Sequence, residues 1–190
     1  VWRRVLEAIP EALLLFSPLS AGQQAGIERM MATADIDKSR IAFLDVPVQD
    51  ALWRARYRLA HAVLDTFPYA GGDTTLAALD MGVPVVTLMG ERQSERVGAS
   101  ILAHLDVTET IAKSEDEFVA IAIRLARDAA FMAETRRRIE AAVAATDVRS
   151  HTRALEDAYA EIAAKRSVTT SMTLSARQFF QTSPQQQRDG

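Results

Sequence analysis

The chain has 190 residues, of which 48% are apolar, and a formal net charge of −3 at pH 7. This is sufficient for one globular domain with a core, and the absence of a long block of Lys or Arg argues against nucleic acid as a partner. Because the chain has no cysteine, disulfides and thiolate metal sites are excluded. No apolar run approaches the ~20 residues of a membrane span. A cytoplasmic protein without a membrane span is therefore expected.

The first part of the chain alternates between helical patterns and short apolar segments. Helices are predicted at 1–8, 22–34, 48–60, 74–81 and 94–105. Strands are predicted at 12–16, 40–44, 62–66, 84–88 and 109–111. The apolar segments lack the alternating polar face of a half-exposed sheet, which favours a parallel sheet with helices on both sides. The predicted fold class is α/β.

Two further helical patterns precede a polar tail. Ser114 and Glu117 have the spacing of a capping box in front of an apolar stripe. A later stripe consists of Leu155, Tyr159 and Ile162. The last residues are rich in Ser, Thr and Gln, which predicts an extended tail at 167–190 after a folded part at 1–166.

The segment LDTFPYAGGDTT at 64–75 leads from a predicted strand through two glycines into a predicted helix. In open parallel sheets, ligands bind at such loops beyond the carboxyl ends of the strands. Gly71 and Gly72 allow the backbone to approach a ligand closely, and the helix N-terminus suits a phosphate. Asp73 repels a phosphate unless it caps the helix or faces a sugar hydroxyl. The simpler alternative is a tight turn in which Asp73 is the N-cap.

A longer segment, residues 64–102, resembles the nucleotide-sugar-binding lobe of glycosyltransferase family 41, the O-GlcNAc transferase family with its bacterial relatives. The matching residues include Leu64-Asp65-Thr66, Thr74-Thr75 and Met81-Gly82-Val83-Pro84, and weaker similarity covers most of 1–165. The resemblance implies a Rossmann-like C-terminal lobe of the GT-B fold without its first strand. It also implies an N-terminal lobe of the same or a longer polypeptide as partner. The implied reaction transfers a sugar from a UDP-sugar, UDP-GlcNAc or UDP-glucose, to Ser/Thr or Asn side chains of an acceptor protein.

The resemblance also implies a nucleotide-sugar site. At its nucleobase end Arg56 matches a family Arg, while Trp53 and Asp50 replace a family His and Lys. Trp53 is either a stacking surface for a uracil or a core-facing aromatic residue. At its diphosphate or sugar end lie Gly72, Asp73, Thr74 and Thr75. Val46-Pro47-Val48 matches a segment that contacts the base through its backbone.

At several of the aligned positions, this chain has a different residue from the family. The family's loop His falls on Gly72, its two threonines on Asp73 and Thr74, its ribose-binding Asp on Ala77, and a following Trp on Asp80. In the N-glucosyltransferase branch an Asn falls on Asp73, which keeps a polar residue there. These substitutions leave a second hypothesis open, a non-catalytic binding or scaffold module derived from the same lobe.

No residue of the chain is assigned a catalytic role. The resemblance implies that the phosphate-binding Lys and the candidate bases precede Val1, so the segment alone is expected to be inactive. The UDP-sugar is a substrate, and no metal or cofactor is expected. His61, His104 and His151 have no partner at metal-ligand spacing and are expected to be structural. Asp65 is expected to be a structural hydrogen-bonding residue, the alternative being a carboxylate pair with Asp80.

Overall fold

The protein divides into two compact units, Val1–Ala145 and Thr146–Gly190. The computed structural model describes residues 1–17, 21–44, 50–146, 149 and 151–165. The predicted polar tail at 167–190 lies outside the described residues, and a boundary after residue 166 stays a prediction.

All strands of the first unit pair in parallel. They are β1 (Leu14–Phe16), β2 (Ile41–Phe43), β3 (Val63–Leu64), β4 (Val85–Leu88) and β5 (Ile111–Ala112). β1 pairs with β2, placing Leu14 opposite Ile41, and β4 lies between β3 and β5, placing Val63 opposite Val85. Each strand overlaps a segment that the sequence predicts as a strand. The parallel pairing confirms the predicted α/β class.

The helices of the first unit alternate with these strands, except that the last two helices follow one another directly. They are α1 (Trp2–Ala8), α2 (Ala21–Thr33), α3 (Asp50–Ala55), α4 (Asp73–Asp80), α5 (Val97–His104), α6 (Glu115–Arg127) and α7 (Ala129–Ala145). The helix predicted at 48–60 is divided, because α3 continues as a 3-10 turn at Arg56–Leu59. A 3-10 turn at Gln93–Glu95 likewise precedes α5.

The second unit contains a helix at 151–165, as the apolar spacing predicts. The side chains of Leu155, Tyr159 and Ile162 are exposed on it. None of the helices in the described ranges is both long and apolar enough to cross a membrane.

The predicted capping box at the start of α6 is present in a shifted form. Ser114 Oγ accepts a hydrogen bond from the Glu117 amide at 3.2 Å, as the pattern requires. The Glu117 carboxylate accepts from the amide of Lys113 at 2.8 Å, one residue before the N-cap. The side-chain cap on α6 therefore comes from Ser114.

The core surrounds β4, whose successive side chains point to opposite faces of the sheet. Val85 packs in a cluster with buried residues of α4, α5 and α7, which include Leu79, Leu102 and Ile139. Val86 packs on the other face against Phe118 of α6. Both faces of the strand are covered by helices, so the loops at its carboxyl end stand on a rigid support.

Candidate functional site

The loop between β3 and α4 lies at the carboxyl end of β3. Gly72 is the N-cap residue of α4, and Asp73 is the first helical residue. The alternative that Asp73 is the N-cap is therefore wrong, because the helix begins one residue earlier than a capping Asp73 requires. The Asp73 side chain is exposed in the first turn, where the helix dipole favours a negative charge.

The first amides of α4 lie outside the hydrogen-bond pattern of the helix. The amide of Leu76 donates to the carbonyl of Gly72 at 3.0 Å, which closes the first turn. The amides of residues 73–75 donate to no acceptor within the described part of the chain. Free N–H groups at the positive end of a helix favour an anion.

The buried side chain of Asp65 holds this loop through hydrogen bonds. Its side chain is only 5% exposed, and Oδ1 accepts hydrogen bonds from the amides of Thr66 at 2.9 Å and Gly71 at 2.8 Å. Oδ2 accepts from the hydroxyl of Thr87 at 2.8 Å. Burial raises the pKa of the Asp65 carboxyl above its usual range, and these hydrogen bonds partly offset the rise. The expected structural role of Asp65 is confirmed.

Gly71 is held on both sides and has no room for a side chain. Its carbonyl accepts a hydrogen bond at 3.0 Å from the hydroxyl of Thr75, which is only 2% exposed. A Cβ atom at position 71 would lie 2.5 Å from the Thr74 hydroxyl oxygen and 2.9 Å from that of Thr75. Glycine is therefore required here by neighbouring side chains. Thr74 itself is exposed.

The loop after β4 lies against the loop after β3. The amide of Ala70 donates to the carbonyl of Ser94 at 2.9 Å, and a Cβ atom at Gly98 would lie 2.5 Å from Asp65 Oδ2. Sequence reasoning gave Thr87 and Gly98 no role in the site. One signal for Thr87 was present, because it is the hydroxyl residue within the otherwise apolar strand Val85–Leu88.

The structure brings two of the predicted nucleobase residues together. The guanidinium carbon of Arg56 lies 3.1 Å from the ring centroid of Trp53 and 4.9 Å from that of Tyr57. Arg56 also donates hydrogen bonds to Tyr57 Oη at 3.2 Å and to Ser17 Oγ at 3.3 Å. Since Ser17 directly follows β1, the guanidinium also lies at the carboxyl end of a strand. Asp50 opens α3.

The described residues do not include every predicted site group. The side chain of Asp50 and the segment Val46-Pro47-Val48 lie outside them. Asp80 forms an ion pair with Arg54 at 2.8 Å, and Asp65 pairs with Thr87, so the alternative of a carboxylate pair is wrong. In the described ranges, no group of three or more His, Cys, Asp or Glu side chains is arranged to hold a metal ion.

Comparisons with known proteins agree with this fold. The sequence model of glycosyl transferase family 41 matches residues 1–155. A protein of Hordeum vulgare, named probable UDP-N-acetylglucosamine–peptide N-acetylglucosaminyltransferase SPINDLY, is 33% identical over 165 residues, covering 84% of this chain and 18% of that protein. The UDP-N-acetylglucosamine–peptide N-acetylglucosaminyltransferase of Caenorhabditis elegans is 33% identical over 161 residues, covering 83% and 14%. The chain thus spans less than a fifth of these relatives.

The similarity extends to a solved structure. A mutant of the Thermobaculum terrenum O-GlcNAc transferase superposes with a TM-score of 0.75 at 32% identity, covering 83% of this chain and 31% of that chain. The predicted family and the predicted GT-B lobe are both confirmed. The chain belongs to glycosyltransferase family 41 and forms an O-GlcNAc transferase-like C-terminal lobe.

Proposed function

We propose that this chain is the donor-binding lobe of a protein glycosyltransferase, which transfers a sugar from UDP-GlcNAc or UDP-glucose to Ser/Thr or Asn side chains. The names of its relatives support a UDP-GlcNAc donor and a peptide acceptor. The observation that carries the proposal is the set of amides of residues 73–75 at the start of α4, which have no acceptor among the described residues. An N-terminal lobe supplies the groups that this segment lacks, so the segment alone is inactive. A cytoplasmic location stays a prediction from the composition.

The donor diphosphate binds at the start of α4. The helix dipole and the unpaired amides favour a negative charge at this point. The exposed hydroxyl of Thr74 adds a donor, while the buried hydroxyl of Thr75 acts through Gly71. Gly72 leaves the approach open, because even a Cβ atom there would reach only Val97, at 3.6 Å. These groups stabilise the charge that develops on the departing UDP.

Asp73 faces the sugar of the donor. Its carboxylate is exposed beside the proposed phosphate position, where direct contact with a phosphate would be repulsive. A carboxylate is a strong acceptor for sugar hydroxyls. Asp73→Ala should therefore weaken binding of the UDP-sugar relative to that of UDP, while UDP itself binds at least as tightly because a nearby negative charge is removed. If Asp73→Ala instead strengthens binding of UDP and of the UDP-sugar equally, Asp73 faces the phosphates.

Arg56 recognises the nucleobase together with Trp53, and Asp50, the first residue of α3, is assigned to the same end of the site. The Trp53 ring supports one face of the guanidinium, so Arg56 is held in a fixed plane. Two of its nitrogens bond to Tyr57 and Ser17, and the remaining N–H groups of the guanidinium can donate to the carbonyl oxygens of uracil.

Titration calorimetry tests the proposal on the full-length protein. UDP, UDP-GlcNAc, UDP-glucose and a GDP-sugar are titrated separately, and transfer of labelled sugar to an acceptor protein is followed in parallel. We expect UDP and at least one UDP-sugar to bind and the GDP-sugar to bind more weakly. No binding by any donor would exclude a donor-binding lobe. Preference for the GDP-sugar would be consistent with a glycosyltransferase but would exclude UDP as the nucleotide of its donor.

The second candidate is a binding or scaffold module that has lost transfer. The exposed carboxylate of Asp73 at the start of α4 favours it, because a negative charge there weakens phosphate binding. The same experiment separates the two functions. Binding of a UDP-sugar without any sugar transfer to an acceptor protein would favour the module.

A further inference from the structure

We propose that Asp65 is a positioning residue for the donor-binding loop, because its carboxylate fixes Gly71 and so directs the amides of residues 73–75 toward the donor. The inference rests on the proposed function for its ligand. Its structural part, the anchoring of the loop, can be tested without any donor.

The two peptide groups of Gly71 are fixed by different partners. Its amide donates to Asp65 Oδ1 at 2.8 Å, and its carbonyl accepts from the Thr75 hydroxyl at 3.0 Å. The first of these bonds joins the loop to the end of β3, and the second joins it to the first turn of α4. The orientation of the next peptide groups, which carry the unpaired amides, therefore depends on Asp65.

Asp65 is itself fixed by the core. Its Oδ2 atom accepts from Thr87, which is fully buried on β4, and Gly98 of α5 approaches the same oxygen so closely that a Cβ atom would lie 2.5 Å away. The carboxylate thus joins β3, β4 and α5. A loop tied to packed elements in this way keeps its geometry before the ligand arrives, which lowers the cost of binding.

Asp65 also satisfies two amides of the loop that leads into α4. It accepts the hydrogen bonds of the Thr66 and Gly71 amides, whereas the amides of residues 73–75, as the first N–H groups of α4, have no acceptor within the described part of the chain. Without the carboxylate, a half-buried Gly71 amide would lack an acceptor. The loop would then turn to satisfy it, and the first amides of α4 would change direction.

The test compares Asp65→Ala and Asp65→Asn in the full-length protein. Asn keeps an oxygen for the Thr66 and Gly71 amides, and its NH₂ group can donate to the Thr87 hydroxyl. Amide hydrogen exchange of residues 71–75 is measured without donor, and UDP affinity is measured by calorimetry. We expect Asp65→Ala to accelerate the exchange and to weaken UDP binding by about tenfold to a hundredfold. Asp65→Asn should restore both properties to near the wild-type values.

A matched control separates positioning from general stability. Val107→Ala removes volume from a fully buried core position, so it should lower the melting temperature while leaving the exchange of residues 71–75 and the UDP affinity unchanged. If Asp65→Ala does not fold, Thr87→Val and Thr87→Ser replace it. Thr87→Val removes the hydroxyl that holds Oδ2 and should weaken UDP binding, whereas Thr87→Ser keeps the hydroxyl and the affinity.

The outcomes distinguish this inference from the proposed function. Unchanged UDP affinity in both Asp65→Ala and Thr87→Val would overturn the positioning role, as would a Val107→Ala variant that loses affinity equally. A wild-type protein that binds no nucleotide would overturn the proposed function and the donor role of Asp65 together. In that case, faster amide hydrogen exchange of residues 71–75 in Asp65→Ala would still show that Asp65 anchors the loop. Unchanged exchange would exclude this anchoring role.

Discussion

Gly98 has no room for a side chain because the carboxylate of Asp65 occupies the space. A Cβ atom at position 98 would lie 2.5 Å from Asp65 Oδ2 and 2.9 Å from Thr87 Oγ1. Helix α5 can therefore approach the carboxyl ends of β3 and β4 only with glycine at this position.

Gly98→Ala should destabilise the protein although alanine is the better helix former. The added methyl group would displace the Asp65 carboxylate or the helix, and such overpacking costs about 1–3 kcal/mol. Gly26→Ala in α2 is the matched control, because its Cβ atom would meet only Arg29, at 3.9 Å. That variant should gain up to about 1 kcal/mol from helix propensity. Urea denaturation measures both, and equal stabilisation of the two variants would contradict the close packing.

The stability of Asp65→Asn should differ from that of the wild type in a pH-dependent way. Burial raises the folded-state pKa of Asp65 above its ordinary value of 3.8. The folded state therefore holds this proton more tightly than the unfolded state, and the contribution of Asp65 to stability falls as the pH rises from 3.8 through the raised pKa. The Asn side chain does not titrate, so its contribution to stability does not change over this pH range.

The measurement for Asp65→Asn is the free energy of unfolding of both proteins across this pH range. The variant should gain stability relative to the wild type as the pH rises, and the gain should level off above the raised pKa. Exposed carboxyls whose pKa is lowered, such as Asp128 beside the Phe131 amide, have the opposite pH dependence. Because both proteins contain these carboxyls, their contributions cancel in the difference between the two free energies of unfolding. A difference that is constant with pH would contradict the raised pKa.

The order of the elements was predictable from the sequence because it follows from local patterns. Apolar runs such as 84–88 lie between helical repeats, and the structure has β4 at Val85–Leu88 within that run. The glycine turn was also predictable, but the reason for Gly71 was not. The sequence suggested close approach to a ligand, whereas the structure shows close approach to Thr74 and Thr75.

The supports of the site depend on long-range packing, which no local pattern contains. Asp65 and Thr87 are 22 positions apart, and they meet only because β3 and β4 pair in parallel. The local sequence around Gly98 does not indicate that Asp65 and Thr87 lie against it. The burial of the Thr75 hydroxyl follows from the N-cap being Gly72, and a shift of one residue at a helix start is beyond the accuracy of sequence patterns.

Ser114→Ala should destabilise the protein by about 1 kcal/mol, because it removes the acceptor for the Glu117 amide at the start of α6. Ser114→Asp is the control, since aspartate offers an equivalent acceptor and a favourable charge at a helix N-terminus. Thermal and urea denaturation should place Ser114→Asp near the wild type. Equal losses in the two variants would show that the hydroxyl contributes through something other than capping.

Arg56→Ala should weaken UDP binding if Arg56 contacts the base. A hydrogen bond to a charged group contributes about 1.5–3 kcal/mol, so the loss is expected to be about tenfold or more. Arg54→Ala is the matched control, because Arg54 lies two positions away and forms an exposed ion pair with Asp80, which contributes little. Pyrophosphate lacks the base, so Arg56→Ala should not change its affinity. Equal weakening of UDP and pyrophosphate would place Arg56 at the phosphates instead, and no weakening of either would remove it from the site.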